Sequence, residues 1–311
     1  MSGEVVSIDP ALSVALGEET GVRKPWQHRR LMDTLEMDRS VGAVVALKSG
    51  EFAKSRLELP SPLRQRLAWT MALDTLRALA GALSEVVVVS ALPALASRLT
   101  RAEIRAEVVM DPPRPGMNAA LAYGADRLRE AGVVTILACV GDLPALRVGS
   151  VHRVIEASLS FPRAFLPDST GMGTTMLVAS AGLLDPHFQG RSAARHRASG
   201  AVPLTAELLG GPLADARHDV DTEVDLGTVI GLGVGPHTAA LIDQHTARLG
   251  HYQQITATGS VDGHGDQIAV TAAGRRVVLP RRALTDGLRH VRSGQRLHAV
   301  TSPECVLSAW L

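Results

Sequence analysis

The sequence is short of cysteine, of charge of one sign and of long apolar runs, and each shortage excludes something. Its 311 residues include only two cysteines, Cys139 and Cys305. Two thiols build neither a disulfide framework nor a four-ligand zinc site, so a reducing, cytoplasmic location is expected. Lys and Arg number 32 against 31 Asp and Glu, a formal charge of +1. That is far from the basic field of a dedicated nucleic-acid binder, and any phosphate chemistry must use local charge. Near the start, the apolar stretch 5–16 is interrupted by Asp9, Pro10 and Ser13. Neither a signal peptide nor a membrane anchor is expected there. With 46% hydrophobic residues, the chain still has ample material for a large α/β core plus a smaller module.

Residues 1–38 carry no sustained period and one small basic cluster, Arg23-Lys24 with His28-Arg29-Arg30; a mobile extension is expected. The first buried strand is read at 41–47, followed by a loop bearing Lys48, Lys54 and Arg56. Cations at a strand's end suit a triphosphate. The loop lacks the second glycine of a Walker motif, so a P-loop is rejected. The spacing of Leu63, Leu67, Met71, Leu76, Leu79 and Leu83 predicts a helix starting near Ser61-Pro62, with Asp74 inside it in a structural role. Strands at 85–90 and 106–110 and helices near 93–99 and 117–129 continue a strand–helix alternation, which argues a parallel sheet with right-handed crossovers.

The central strand is read in Thr135-Ile136-Leu137-Ala138-Cys139, an apolar run ending in Val140-Gly141-Asp142-Leu143-Pro144. Ligands of open α/β sheets bind at the strands' carboxyl ends, which makes Asp142 a candidate metal ligand, with a turn-capping role as the alternative. Upstream, Gly116 permits close backbone approach, and Asn118 is placed either on a base or ribose or as a helix cap. Downstream, Asp168 to Thr175 is a glycine-rich turn that can offer N–H groups and Thr174 to a phosphate, or simply join two strands. Gln189 to Arg197 puts Ser192 at a helix start beside arginines, a pocket for an anion or a solvated basic helix. His196, between two arginines, is expected at the surface and considered as a base only by default. In Asp219-Val220-Asp221 the alternation of an extended segment puts both carboxylates on one face and Val220 in the core. Combined with Asp142 they make a three-carboxylate magnesium site.

Beyond residue 245 five short strands are read, at 253–260, 267–271, 275–280, 295–301 and 305–310, separated by Asp-Gly, Ala-Gly and Ser-Gly turns. They predict a small β-barrel of the oligonucleotide-binding type. A row of aromatics for base stacking is missing, so support or interaction is preferred to nucleic-acid binding.

Together, Lys48 with Ala53-Lys54-Ser55-Arg56-Leu57, Met117-Asn118-Ala119-Ala120-Leu121, Gly141-Asp142-Leu143-Pro144-Ala145-Leu146, Gly171-Met172-Gly173-Thr174-Thr175, Ser192-Ala193-Ala194-Arg195-His196 and Asp219-Val220-Asp221-Thr222 resemble the guanylyltransferases of deazaflavin coenzyme (coenzyme F-420) biosynthesis, which act on phosphoenolpyruvate or 2-phospho-L-lactate. The resemblance covers about residues 41–245. It implies an α/β nucleotidyltransferase sheet related to glycosyltransferases of the A type, mostly parallel with helices on both faces, as a domain 39–245 ahead of the 246–311 barrel, which itself looks like a cold-shock barrel. It implies transfer of GMP from GTP to the acid's phosphate with release of pyrophosphate, and two Mg2+ ions on Asp142, Asp219 and Asp221. Lys48, Lys54 and Arg56 would serve the departing pyrophosphate, Gly116 and Asn118 the nucleotide, and Thr174, Gln189 and Ser192 the substrate phosphate, the middle position usually being Gly. A downstream transferase of the same pathway is a further expected partner; a membrane is not. Two rival readings are a nucleotide-sugar glycosyltransferase using the same Asp-x-Asp and an RNA-associated protein acting through the barrel.

Overall fold

The computed structural model describes residues 41–47, 57, 59–110, 112, 116–245, 251–284, 288–302 and 305–310. The expected N-terminal extension and the loop with Lys48, Lys54 and Arg56 lie outside these residues.

Apolar runs without alternation make the central strands. β1 (Val41–Ala46), β2 (Glu85–Val89) and β4 (Thr135–Cys139) are buried along nearly their whole length, as a sheet covered on both faces requires. With β3 (Glu107–Val109), β5 (Arg163–Pro167), β6 (Thr174–Ala179) and β7 (Val202–Pro203) they form a seven-stranded sheet in the order β3-β2-β1-β4-β6-β5-β7. β1 pairs parallel with β2 and β4, β2 with β3, and β5 with β7. β6 is reversed, antiparallel to both β4 and β5.

The pleat decides which helix covers which face. Val45, Val86 and Leu137 point toward α1 (Ser61–Ala82), α2 (Leu95–Arg101) and α4 (Val148–Ser158), meeting Leu76, Leu79, Leu95 and Val151. Val44, Val87 and Ile136 point the other way, onto Leu121 and Leu128 of α3 (Met117–Glu130) and Ala193 of α5 (Ser192–Ala198). On α3, Gly124 rests against Val44 and Val89, where any Cβ would collide, so that helix lies close upon the sheet.

A third core joins the first half of α1, through Leu63, Leu67 and Met71, to α7 (Glu223–Leu232) and α8 (Pro236–Gln244), and it includes Val220. The short α6 (Ala214–Arg217) precedes them. Asp74, 3% exposed, accepts hydrogen bonds from the backbone N–H groups of His237 and Thr238 and so caps α8. Its expected structural role is thus a specific one.

The C-terminal strands β8 (His251–Val261), β9 (Gln267–Thr271), β10 (Arg276–Leu279), β11 (Arg296–Thr301) and β12 (Val306–Trp310) form an antiparallel sheet in the order β10-β9-β8-β11-β12. Bridges at Val278–Cys305 and Leu284–Ala309 draw its two edges together. The result is a half-barrel with a core of its own, in keeping with the small five-stranded β-barrel module that the turn spacing predicts. It seats on α7, whose Gly227 and Gly231 face Ser308 and Trp310 so closely that a Cβ at either would overlap them. Among the described residues, no helix is long and apolar enough to cross a membrane.

Candidate active site

The strand order creates the site. From β1 the chain moves outward through β2 to β3, then returns to place β4 on the other side of β1, which opens a crevice at their carboxyl ends. The cleft there has a volume of about 850 Å³. Leu47 leaves β1 into it, and Val140, Gly141 and Asp142 leave β4 into it.

Three backbone contacts hold the Asp142 turn. Leu143 N–H donates to Thr75 Oγ1 at 3.0 Å, Val220 N–H to the Asp142 carbonyl at 3.3 Å, and Gly235 N–H to the Pro144 carbonyl at 2.7 Å. The second brings the strand end against the Asp-x-Asp segment. There, Val220 is fully buried, as alternation requires, and the flanking Asp219 and Asp221 line the cleft. The segment ends in a capping box: Thr222 Oγ1 accepts from Asp225 N–H, and Asp225 Oδ2 accepts from the N–H groups of Asp221 and Thr222. One carboxylate oxygen from each of Asp142, Asp219 and Asp221 lies within 4.8 Å of the others. Three such groups repel one another unless a cation lies among them, and hard oxygen donors suit Mg2+. Burial, and after it the charge of Asp142, pushes the Cys139 thiol upward, so it stays protonated and inert.

The reversed strand supplies the opposite wall. Because β6 runs against β4, its first residue falls beside the end of β4, where Val140 N–H donates to the Thr175 carbonyl at 3.0 Å. Thr174 therefore enters the cleft. The preceding turn is held by Asp168, whose Oδ1 accepts from Thr170 Oγ1 and Met172 N–H and whose Oδ2 accepts from Gly173 N–H. Those amides, which the sequence offered to a phosphate, are occupied by a carboxylate. Similarly, Ser192 and Ala193 at the start of α5 spend their N–H groups on the Gly190 and Met172 carbonyls. α5 is only seven residues long; it brings side chains to the cleft and no open row of amides.

Gln189 and Ser192 also line the cleft. Gln189 has φ +79°, a conformation that favours glycine. The segment is clamped by Asn118, which accepts from Phe188 N–H at 2.8 Å and donates to the Phe188 carbonyl at 3.3 Å. Asn118 makes no side-chain cap. Gly116, at φ +129°, is exposed beside it, and among the described residues nothing lies within 4 Å of where its β-carbon would be.

His196 is not at the surface: it is fully buried. Four residues after Ser192 it shares that residue's inward face of α5, while Arg195 and Arg197 are exposed. Sequence reading also missed Thr75, which a pair of polar residues, Asp74-Thr75, inside an apolar stripe could have flagged. It missed Gln65, Trp69 and Arg98, which line the far wall, with the Arg98 guanidinium 5.5 Å from the Trp69 ring centroid.

A switch-point cleft with three convergent carboxylates, in a sheet carrying one reversed strand, is an architecture suited to transferases that act on nucleotides, and the family matches place the chain among the nucleotidyltransferases. Residues 57–202 match the MobA-like NTP transferase domain. The fold is similar to that of the solved structure assigned as a nucleotide-diphospho-sugar transferase from Desulfovibrio desulfuricans G20, with TM-score 0.50 and 14% identity over 68% of this chain and 96% of that one. Phosphoenolpyruvate guanylyltransferase of Streptomyces avermitilis is 46% identical over 63% of this chain and 91% of its own length; that of Mycobacterium marinum is 37% identical over 66% and 94%. The chain belongs to the phosphoenolpyruvate guanylyltransferase family.

Proposed function

We propose that this protein transfers GMP from GTP to the phosphate of phosphoenolpyruvate, giving enolpyruvyl-diphospho-guanosine and pyrophosphate, an early step of coenzyme F-420 biosynthesis. The observation that carries the reading is the meeting of Asp142, Asp219 and Asp221 in one cleft with Thr174, Gln189 and Ser192. The relatives' shared name favours phosphoenolpyruvate over 2-phospho-L-lactate as acceptor.

An oxygen of the acceptor phosphate forms a bond to the α-phosphorus of GTP as the bond from that phosphorus to the bridging β-phosphate oxygen breaks, and pyrophosphate departs. The attacking oxygen is already anionic near neutral pH, so positioning and charge neutralisation do the catalysis and no strong base is needed. Asp142, Asp219 and Asp221 would hold two Mg2+ ions, which would supply positive charge to offset that of the reacting phosphates. Thr174, Gln189 and Ser192 orient the acceptor phosphate. Gly116 gives the nucleotide close approach to the start of α3, and Asn118 shapes that wall through Phe188. Lys48, Lys54 and Arg56 stabilise the departing pyrophosphate.

The test is incubation of the purified protein with GTP and Mg2+ against phosphoenolpyruvate, 2-phospho-L-lactate and other phosphorylated three-carbon acids, with pyrophosphate measured and the product weighed by mass spectrometry. A diphosphate-linked guanosine adduct of phosphoenolpyruvate is expected. Pyrophosphate release with none of these acids would overturn the reading, as would a nucleoside diphosphate released from a nucleotide sugar.

A further inference from the structure

Thr174 is an ambiguous group for a phosphate site, since a hydroxyl can give a hydrogen bond or take one. An anionic phosphate oxygen only accepts, so the hydroxyl is useful there only if its proton faces the ligand. What settles the direction lies behind Thr174. Its Oγ1 is 2.9 Å from Nδ1 of His196, and the other ring nitrogen, Nε2, is 2.9 Å from the backbone nitrogen of His187.

The backbone amide can only donate, so Nε2 must accept. The ring is neutral: burial, then the charges of His187, Arg163 and Arg195, push its pKa down to about 4. A neutral imidazole whose Nε2 carries the lone pair bears its proton on Nδ1. Nδ1–H therefore donates to Thr174, whose oxygen is the acceptor in that contact. The Thr174 proton is turned away from the ring, and Thr174, although only 6% exposed, lines the cleft.

The same ring ties the surrounding pieces together. His196 is one helical turn beyond Ser192, it anchors His187 two residues before Gln189, and its ring packs edge-on to Phe188 with centroids 5.1 Å apart. Thr174 opens β6, whereas Gln189 and Ser192 belong to the segment that leads into α5, and one imidazole sits at the junction of the two stretches.

We propose that His196 is the positioning residue of the acceptor-phosphate subsite: donating from Nδ1 and accepting at Nε2, it holds Thr174 as a hydrogen-bond donor toward the cleft and fixes the Gln189 segment beside it. The proposal rests on the assignment of Thr174, Gln189 and Ser192 to the acceptor phosphate. His196 takes no part in proton transfer to substrate; its role is exerted through Thr174.

Four single variants and one double variant test it by steady-state kinetics with GTP and phosphoenolpyruvate. Thr174→Val removes the hydroxyl and tests the assignment on its own. His196→Phe fills the volume with no polar atom. His196→Asn keeps a donor near Nδ1, whereas His196→Gln places an acceptor near Nε2 and no donor at Nδ1. Loss of an oriented hydroxyl to a charged phosphate is expected to raise the KM for phosphoenolpyruvate about tenfold in Thr174→Val, His196→Phe and His196→Gln. His196→Asn should stay within about threefold of wild type, and the KM for GTP should hardly move in any of them. Thr174→Val combined with His196→Phe should be no worse than Thr174→Val alone, because both remove one interaction. If Thr174→Val leaves the acceptor KM unchanged, the assignment of Thr174 fails. If it raises that KM while His196→Phe does not, or if the two effects multiply, the assignment stands and the role of His196 is refuted. Should His196→Phe fail to fold, the Asn and Gln variants decide: Gln retaining the wild-type KM while Asn loses it overturns the proposal.

Discussion

The backbone N–H of Val220 donates to the carbonyl oxygen of Asp142 at 3.3 Å. Seventy-eight residues of sequence separate the two, yet this bond sets the end of β4 directly against the Asp-x-Asp segment. It leaves the Asp142 side chain to the cleft and places Val220 in the core shared by α1, α7 and α8. The carboxylate cluster is thus built on the most buried parts of the fold and owes nothing to a long loop.

The Asp142 turn depends on α1 as well. Thr75 Oγ1 donates to the Met71 carbonyl at 2.9 Å and accepts from Leu143 N–H, and Thr75 is fully buried. Thr75→Val keeps the shape and strands the Leu143 amide, at a cost of about 1–3 kcal/mol. Thr75→Ser should recover most of it. Urea unfolding of the two variants beside wild type measures the difference.

Gln189 occupies a conformation with φ +79°, costly for a residue with a β-carbon. Gln189→Gly removes roughly 1–2 kcal/mol of strain and returns part of it through the greater freedom of the unfolded chain. The expected net gain is about 0.5–1 kcal/mol, read as a small rise in Tm. A fall in Tm would show that the Gln189 side chain contributes more than its backbone loses.

The half-barrel is expected to act as a brace on the helix that follows Asp221. Gly231 lies flat against Trp310 and Gly227 against Ser308. Gly231→Val drives side chain into that seam and should cost about 1–3 kcal/mol. Hydrogen exchange should quicken first in α7 and β12. Equal exchange rates there in variant and wild type would separate the sheet from the helix energetically.

Stability should fall in acid through His196. Its folded pKa, lowered from an ordinary 6.5 to about 4, means the folded state resists a proton that the unfolded chain accepts. The stabilisation is fully present above pH 6.5 and is lost as pH falls through the window down to about 4. Groups facing the ring are His187, Arg163, Arg195 and Asp185. Wild type should lose on the order of 2 kcal/mol between neutral pH and pH 4 that His196→Asn does not, measured by denaturant unfolding across that range.

Much of the site could be read from local pattern because its parts are local. An apolar run that stops at Gly141-Asp142 announces a strand end, and Asp-Val-Asp announces two carboxylates around a core residue. The five C-terminal strands are readable from their turns, though not the bridges that draw the edges of the sheet together. What pattern could not supply was the partner of each element. A glycine-rich turn predicts that two strands follow one another, and only the packed sheet inserts β6 in reverse between β4 and β5, which is what carries Thr174 to Asp142. The burial of His196 does not follow from its arginine neighbours, since residues adjacent on a helix face different ways. For Asn118, local pattern offers a ligand or a cap, and it cannot supply the clamp on Phe188, seventy residues away.

The most direct measurement of the central claim is pyrophosphate release from GTP and phosphoenolpyruvate by wild type, Asp219→Asn and Asp221→Asn, with Mg2+ and then with excess chelator. Replacing a carboxylate that holds the metal should lower turnover by at least about a hundredfold. Relieving the repulsion within the cluster should leave the metal-free Tm unchanged or higher. Mg2+ should raise the Tm of wild type and not of the variants. Full turnover by both variants, or wild-type turnover undiminished by the chelator, would contradict the account.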